Sequence, residues 1–239
     1  MRRAFLLVAV LAVAASTAGA ATHGAKHACV RGGELWFHAA DGTKLVGHRL
    51  GTGTTAVILA HQSEGDLCDW LPYARRLARQ GYFAFPIDFR GYGFSEARTG
   101  AAANRFPTDL AAATKALRKL GKRKVFLVGA SMGGIASLVA AANVTPAVDG
   151  VVGISSPARF RGMDALESAR RLHVPVLYLA AEGDDNAGFD FSKDAEAMHS
   201  ATASTDKKLQ VLPGALHGIE LIAGSARARA AVERFLKGH

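Results

Sequence analysis

A serine stands between glycines in Gly129-Ala130-Ser131-Met132-Gly133, at the spacing G-x-S-x-G. The apolar run Lys124-Val-Phe-Leu-Val precedes it, and an apolar, Ala-rich stretch over 135–142 follows. Those residues predict a buried strand, a tight turn and a helix. A turn that sharp strains its middle residue and leaves no room for bulky neighbours, which is the work of the glycines. It would hold the Ser131 hydroxyl exposed and aim the Met132 backbone N–H at the same spot from a helix N-terminus. A nucleophile whose attack on a carbonyl creates an oxyanion needs both features.

Such a serine also needs a base and a group that orients the base. Strands and helices must bring these together from distant parts of the chain. The pattern predicts strands over 34–40 and 44–50 joined at Asp41-Gly42, then a fully buried strand over 56–60. Helices follow over 70–80 and 107–120, with a strand over 82–87 between them and Gly121 as the second helix's stop. After the serine turn the alternation continues. Strands are expected over 150–154, 174–180 and 208–212, and helices over 163–171, 190–200 and 226–237. A hairpin followed by alternating strands and helices implies an α/β fold, a mostly parallel central sheet with helices on both faces.

The first 20 of the 239 residues have a different design. Arg2 and Arg3 are followed by an apolar run to Ala15 and by Ala18-Gly19-Ala20, the layout of a secretory signal peptide. The run is too short to span a bilayer comfortably, so cleavage after Ala20 is expected rather than a lasting membrane span. Residues 21–239, with no linker or repeat, then form a single domain in a secreted or extracytoplasmic protein. In that setting Cys29 and Cys68 are expected to pair as a disulfide, with two separate buried thiols as the alternative. Neither has the spacing of a metal cluster. The net charge is +9, but the basic residues are scattered and cluster at helix ends, where the macrodipole favours them. No aromatic residues interleave with them, so no nucleic-acid partner is expected.

With the strand–serine–helix turn and this alternation in view, the chain resembles the α/β-hydrolase family over nearly all of residues 21–239. The family's order is nucleophile, acid, base, each on a loop after a strand. The resemblance implies Ser131 as nucleophile and His217, in Leu212-Pro-Gly-Ala-Leu-His-Gly218, as base. His173, His199 and His239 lie in places that do not suit the role. In Ala181-Glu-Gly-Asp-Asp-Asn186, Ala181 stands where family members carry a glycine three residues before the acid, which favours Asp184. Asp185 is the alternative. His61-Gln62-Ser63 occupies the loop that supplies the second oxyanion donor, so the Ser63 N–H would join that of Met132, with Gln62 the weaker candidate and departing from the usual glycine. His61 is expected to brace that loop. Asp88-Phe-Arg-Gly-Tyr-Gly93 resembles a structural motif with an Asp–Arg contact, and Phe89 and Tyr92 are placed near the pocket. Trp70 is expected to pack at a helix start.

Family members with narrow tunnels often carry a large helical lid after the strand that corresponds to 150–154. Here only 155–173 separates that strand from the next, which leaves no room for one. The resemblance therefore points to an open, lidless serine esterase, similar to dienelactone-hydrolase-like members, acting on a small-molecule ester with no cofactor or metal. Cleavage of amides by the same residues, a perhydrolase-like side activity, and a binding protein that kept the scaffold are the competing readings.

Overall fold

The computed structural model describes residues 27–186 and 188–239. The expected signal peptide lies outside them. Among the described residues no helix is long and apolar enough to cross a membrane.

Eight strands form one sheet: β1 (Glu34–His38), β2 (Lys44–His48), β3 (Thr55–Ala60), β4 (Phe83–Ile87), β5 (Lys124–Ala130), β6 (Gly150–Ile154), β7 (Val176–Ala181) and β8 (Lys207–Leu212). Their order across the sheet is β1-β2-β4-β3-β5-β6-β7-β8. The β1–β2 and β2–β4 pairs are antiparallel, and every other pair is parallel. The central strands are apolar on both sides because helices cover both faces. In β3 the split runs residue by residue. Ala56, Ile58 and Ala60 join the core on one face, and Val57 and Leu59 join the core on the other.

Helices α1 (Leu71–Arg79), α6 (Gly218–Gly224) and α7 (Ala226–Gly238) cover one face, with Trp70, Leu77, Ile222, Val232 and Phe235 in its core. Helices α2 (Phe106–Lys119), α3 (Met132–Ala141), α4 (Ala165–Ala169) and α5 (Phe191–Ala201) cover the other. Trp70 is fully buried at the start of α1, the packing role expected of it.

Three local expectations change. Helix α3 begins at Met132 rather than at 135; Gly133 and Gly134 in its first turn are poor helix formers, so the apolar pattern alone places the start too late. The expected helix over 163–171 is shorter. Met163–Asp164 pairs instead with Arg159–Phe160, and α4 starts after Asp164, whose side chain accepts a hydrogen bond from the Glu167 N–H at 2.8 Å. Helix α6 was not expected at all, since glycine opens and closes it. Residues 155–173 carry only this small ladder and α4, so among the described residues no large helical cap is inserted after β6.

Cys29 and Cys68 are joined as a disulfide that ties the segment before β1 to the turn entering α1. Asp88 sits behind that junction. Its carboxylate accepts from the Leu67 and Phe94 N–H groups, both at 2.9 Å, and lies 2.9 Å from His27 Nε2. The Asp–Arg contact expected within the Asp88 motif does not form. Arg90 turns the other way, with Nη2 2.6 Å from Asp109 Oδ1 and Nη1 2.8 Å from Asp41 Oδ2. Gly93, at φ +50°, is required here because a Cβ would run into the Asp88 carboxylate.

Candidate active site

Ser131 stands between β5 and α3 with φ 50° and ψ −116°, a conformation that an L-residue adopts only when its surroundings impose it. The surroundings do so through close approach. A Cβ on Gly129 would strike the Gly133 carbonyl, and one on Gly133 would strike the Ala60 carbonyl of β3. Upstream, the Ser131 N–H donates to the Ile154 carbonyl at 2.8 Å, which ties the turn to β6. The serine therefore sits at the C-terminal edge of the parallel strands, where open α/β sheets present their sites. Met132 is the first residue of α3, and N–H groups in the first turn of a helix have no intrahelical acceptor.

His217 stands between β8 and α6 and lines the same cavity as Ser131. Its Nδ1 lies 2.8 Å from Asp184 Oδ1. Asp184 is buried and His217 about a fifth exposed. A carboxylate at Nδ1 selects the tautomer with the proton there and leaves Nε2 as an acceptor towards the cavity. Asp184 Oδ2 is buried without a protein hydrogen-bond partner, so the imidazole is that carboxylate's one side-chain partner among the described residues. Asp185 is exposed and belongs to a two-residue ladder, Asp185–Asn186 with Phe189–Asp190; the carboxylate at the His217 Nδ1 is that of Asp184. Ser131 and His217 make no hydrogen bond to each other among the described residues, and such contacts commonly tighten only once substrate is bound.

Ser63 also lines the cavity, whose volume is about 240 Å³ and whose other walls are Gln62, Glu64, Pro157, Phe160, Phe189 and Phe191. His61 braces the Ser63 loop from below. It is fully buried, its Nδ1–H donates to the Gln62 carbonyl at 2.7 Å, and its Nε2 accepts from the Phe89 N–H at 3.2 Å. Burial holds the His61 pKa below its ordinary value, which keeps the neutral form that this pattern needs. Phe89 and Tyr92, expected near the pocket, are not among the residues lining it. Phe89 is fully buried against Phe106, and the Tyr92 hydroxyl reaches Met132 Sδ at 3.6 Å.

Two side chains acquire work that their sequence context did not reveal. Gln62 Oε1 accepts from the Ile219 N–H at 3.1 Å, and its Nε2 approaches both carboxylate oxygens of Glu220 at 3.4 Å. Ser155, buried at φ +47°, accepts from the Gly218 N–H at 2.9 Å. The two residues after His217 are thus held by one side chain from the Ser63 loop and one from the loop after β6. The first N–H groups of α6 are satisfied by long-range partners that local sequence cannot announce. Phe160, Phe189 and Phe191 were also missed. The Phe-Asp-Phe run beside the acid loop was the one available signal.

The family profile described as the alpha/beta hydrolase fold matches residues 55–208. No curated protein matches the sequence. Among solved structures, an esterase of Pyrococcus furiosus superposes with a TM-score of 0.71 at 17% identity, covering 85% of this chain and 91% of that one. An esterase from a Rhodococcus species gives 0.69 at 19% identity, with 86% and 98% covered. A membrane phospholipase A described as a bacterial virulence factor gives 0.71 at 17% identity, with 86% of each chain covered. At such identities the likeness speaks for the fold alone. The profile match, by contrast, spans more than half of the sequence and includes the Ser131 turn. The chain belongs to the α/β-hydrolase family.

Proposed function

We propose that the protein is an exported serine hydrolase that cleaves carboxylic esters. The observation that carries the proposal is that a strained Ser131 lines one cavity with His217, whose Nδ1 is 2.8 Å from the buried Asp184. His217 Nε2 takes the Ser131 proton as Oγ attacks the ester carbonyl carbon. The negative charge that develops on the carbonyl oxygen is met by the backbone N–H groups of Met132 and Ser63. Asp184 keeps the imidazole in the accepting tautomer and stabilises its charged form without becoming protonated. Collapse of the tetrahedral intermediate breaks the C–O bond, with His217 passing its proton to the departing alcohol. A water deprotonated by the same histidine then releases the acid and regenerates Ser131.

The secretory signal over residues 1–20 and the Cys29–Cys68 bond support an oxidising, extracytoplasmic destination. Mass spectrometry of the exported protein is expected to find Ala21 as its first residue.

Hydrolysis of p-nitrophenyl acetate by wild type and Ser131→Ala tests the chemistry. The variant is expected to lose at least about 10³-fold in kcat, in line with losing the nucleophile of a triad. A fluorophosphonate probe should label the wild type at Ser131. Equal turnover by the two proteins would sink the proposal.

A further inference from the structure

We infer that the site takes esters bearing an uncharged aromatic ring, seated against a wall of Phe160, Phe189 and Phe191, in preference to long aliphatic chains. This rests on the hydrolase reading above and specifies its substrate class. Three of the nine residues lining the Ser131 cavity are phenylalanines. They are contiguous. Phe189 stacks on Phe191 with centroids 5.6 Å apart and planes at 26°, and Phe160 meets Phe189 edge-on at 6.1 Å and 77°. Phe191 in turn packs on the His217 imidazole at 4.5 Å, so the aromatic surface runs from the outer wall to the base.

The wall is built from two loops and is held in place. Phe160 comes from the loop after β6, where the Arg161 guanidinium lies 5.2 Å from its ring centroid. Phe189 belongs to the ladder after β7, and Phe191 opens α5, whose first turn is capped by the Asp190 carboxylate accepting from the Lys193 N–H at 3.1 Å. Stacked and edge-on rings offer a further ring both a face and an edge, an attraction that an alkyl chain of equal area lacks. The cavity's 240 Å³ lies below the roughly 300–1,000 Å³ of sites that enclose a drug-sized ligand. It suits one flat ring better than a fatty acyl chain. Among the described residues, Glu64 is the one carboxylate lining it, which disfavours a carboxylate on that ring.

The ring can belong to the acyl group or to the alcohol, and two substrate pairs separate these cases. In the first, p-nitrophenyl benzoate is compared with p-nitrophenyl octanoate, each kcat/KM divided by that ester's rate of alkaline hydrolysis. In the second, benzyl acetate is compared with hexyl acetate by pH-stat. At least one pair is expected to favour the aromatic member about tenfold, the scale of two or more aromatic contacts. The preference is expected to shrink several-fold in Phe189→Leu, which keeps the apolar volume and removes the ring, and again in Phe160→Leu. Because each result is a ratio, any loss common to both substrates cancels. Aliphatic preference in both pairs, or an aromatic preference that both leucine variants leave intact, overturns the inference while the hydrolase reading stands. Failure of that reading shows separately, as unlabelled Ser131 and no difference between wild type and Ser131→Ala on p-nitrophenyl acetate.

Discussion

At the scale of single residues, the proposal of Asp184 over Asp185 as the acid rests on burial and on one distance. Asp184 and Asp185 are indistinguishable in composition, yet only Asp184 is buried with an oxygen 2.8 Å from His217 Nδ1. An orienting carboxylate acts through charge and hydrogen bonding in a site that excludes water, so an exposed aspartate on a ladder cannot replace it. Asp184→Asn is expected to lower kcat by about 10³–10⁴-fold, by favouring the wrong tautomer, with little change in KM. Asp185→Asn is expected to stay within about twofold, in keeping with a substitution on an exposed surface away from such features. Steady-state kinetics of the two variants check this, and a reversal of their order would reassign the acid.

At the scale of elements, loops after β3, β6 and β8 are fastened to one another. Gln62 and Ser155 hold the backbone of Ile219 and Gly218, and through it the position of His217. Gln62→Gly, which restores the glycine common in the family, frees the Ile219 N–H. It is expected to lower kcat about tenfold, because small displacements of the proposed base, His217, are expensive, while the melting temperature changes by only a few degrees. An unchanged kcat would show that the tie is dispensable. His61 sets the other side of the same loop, and burial lowers its pKa from the ordinary 6.5. A depressed folded-state pKa means that stability is complete above pH 6.5 and declines as pH falls, because the unfolded chain takes up a proton that the folded chain resists. Urea unfolding from pH 8 down to pH 5 is expected to show that decline, and His61→Gln is expected to be less stable at pH 8 but flatter across the range. Parallel slopes in the two proteins would remove His61 as the cause.

At the scale of the whole molecule, the described residues before β1 are tied to the body of the protein by the Cys29–Cys68 bond and by His27 beside the Asp88 and Asp66 carboxylates. The Cys29–Cys68 bond closes a loop across 39 positions, which corresponds to at most about 4 kcal/mol of unfolded-state entropy. Cys29→Ser with Cys68→Ser, or reduction of the wild type, is expected to lower the melting temperature by up to about 10 °C. Esterase activity at 25 °C should survive, since neither cysteine lines the Ser131 cavity. Loss of activity in parallel with the bond would show that the tether shapes the site. Near it, burial acts to lower the His27 pKa, but the Asp88 carboxylate, with Asp66 behind it, outweighs burial and the net direction is up. The His27 contribution to stability is therefore full below its ordinary pKa and lost as pH rises through the raised one. It runs opposite to that of His61.

The sequence by itself determined the alternation of strands and helices, because buried parallel strands and amphipathic helices have periods that can be read directly. It also determined the serine turn, since glycines at that spacing have few other uses, and it confined the proposed acid to two neighbouring positions and the proposed base to one loop. Tertiary structure decided the rest. That Asp184 rather than Asp185 meets His217, that Arg90 pairs with Asp109 and Asp41 instead of Asp88, and that Gln62 and Ser155 hold the start of α6 all depend on contacts between residues far apart in the chain. Helix α6 itself escaped notice for that reason, as its first N–H groups are satisfied from other loops. The aromatic wall is the same kind of fact. Phe160 lies about thirty positions from Phe189 and Phe191, and only the return of the chain to the same edge of the sheet makes the three into one surface beside Ser131.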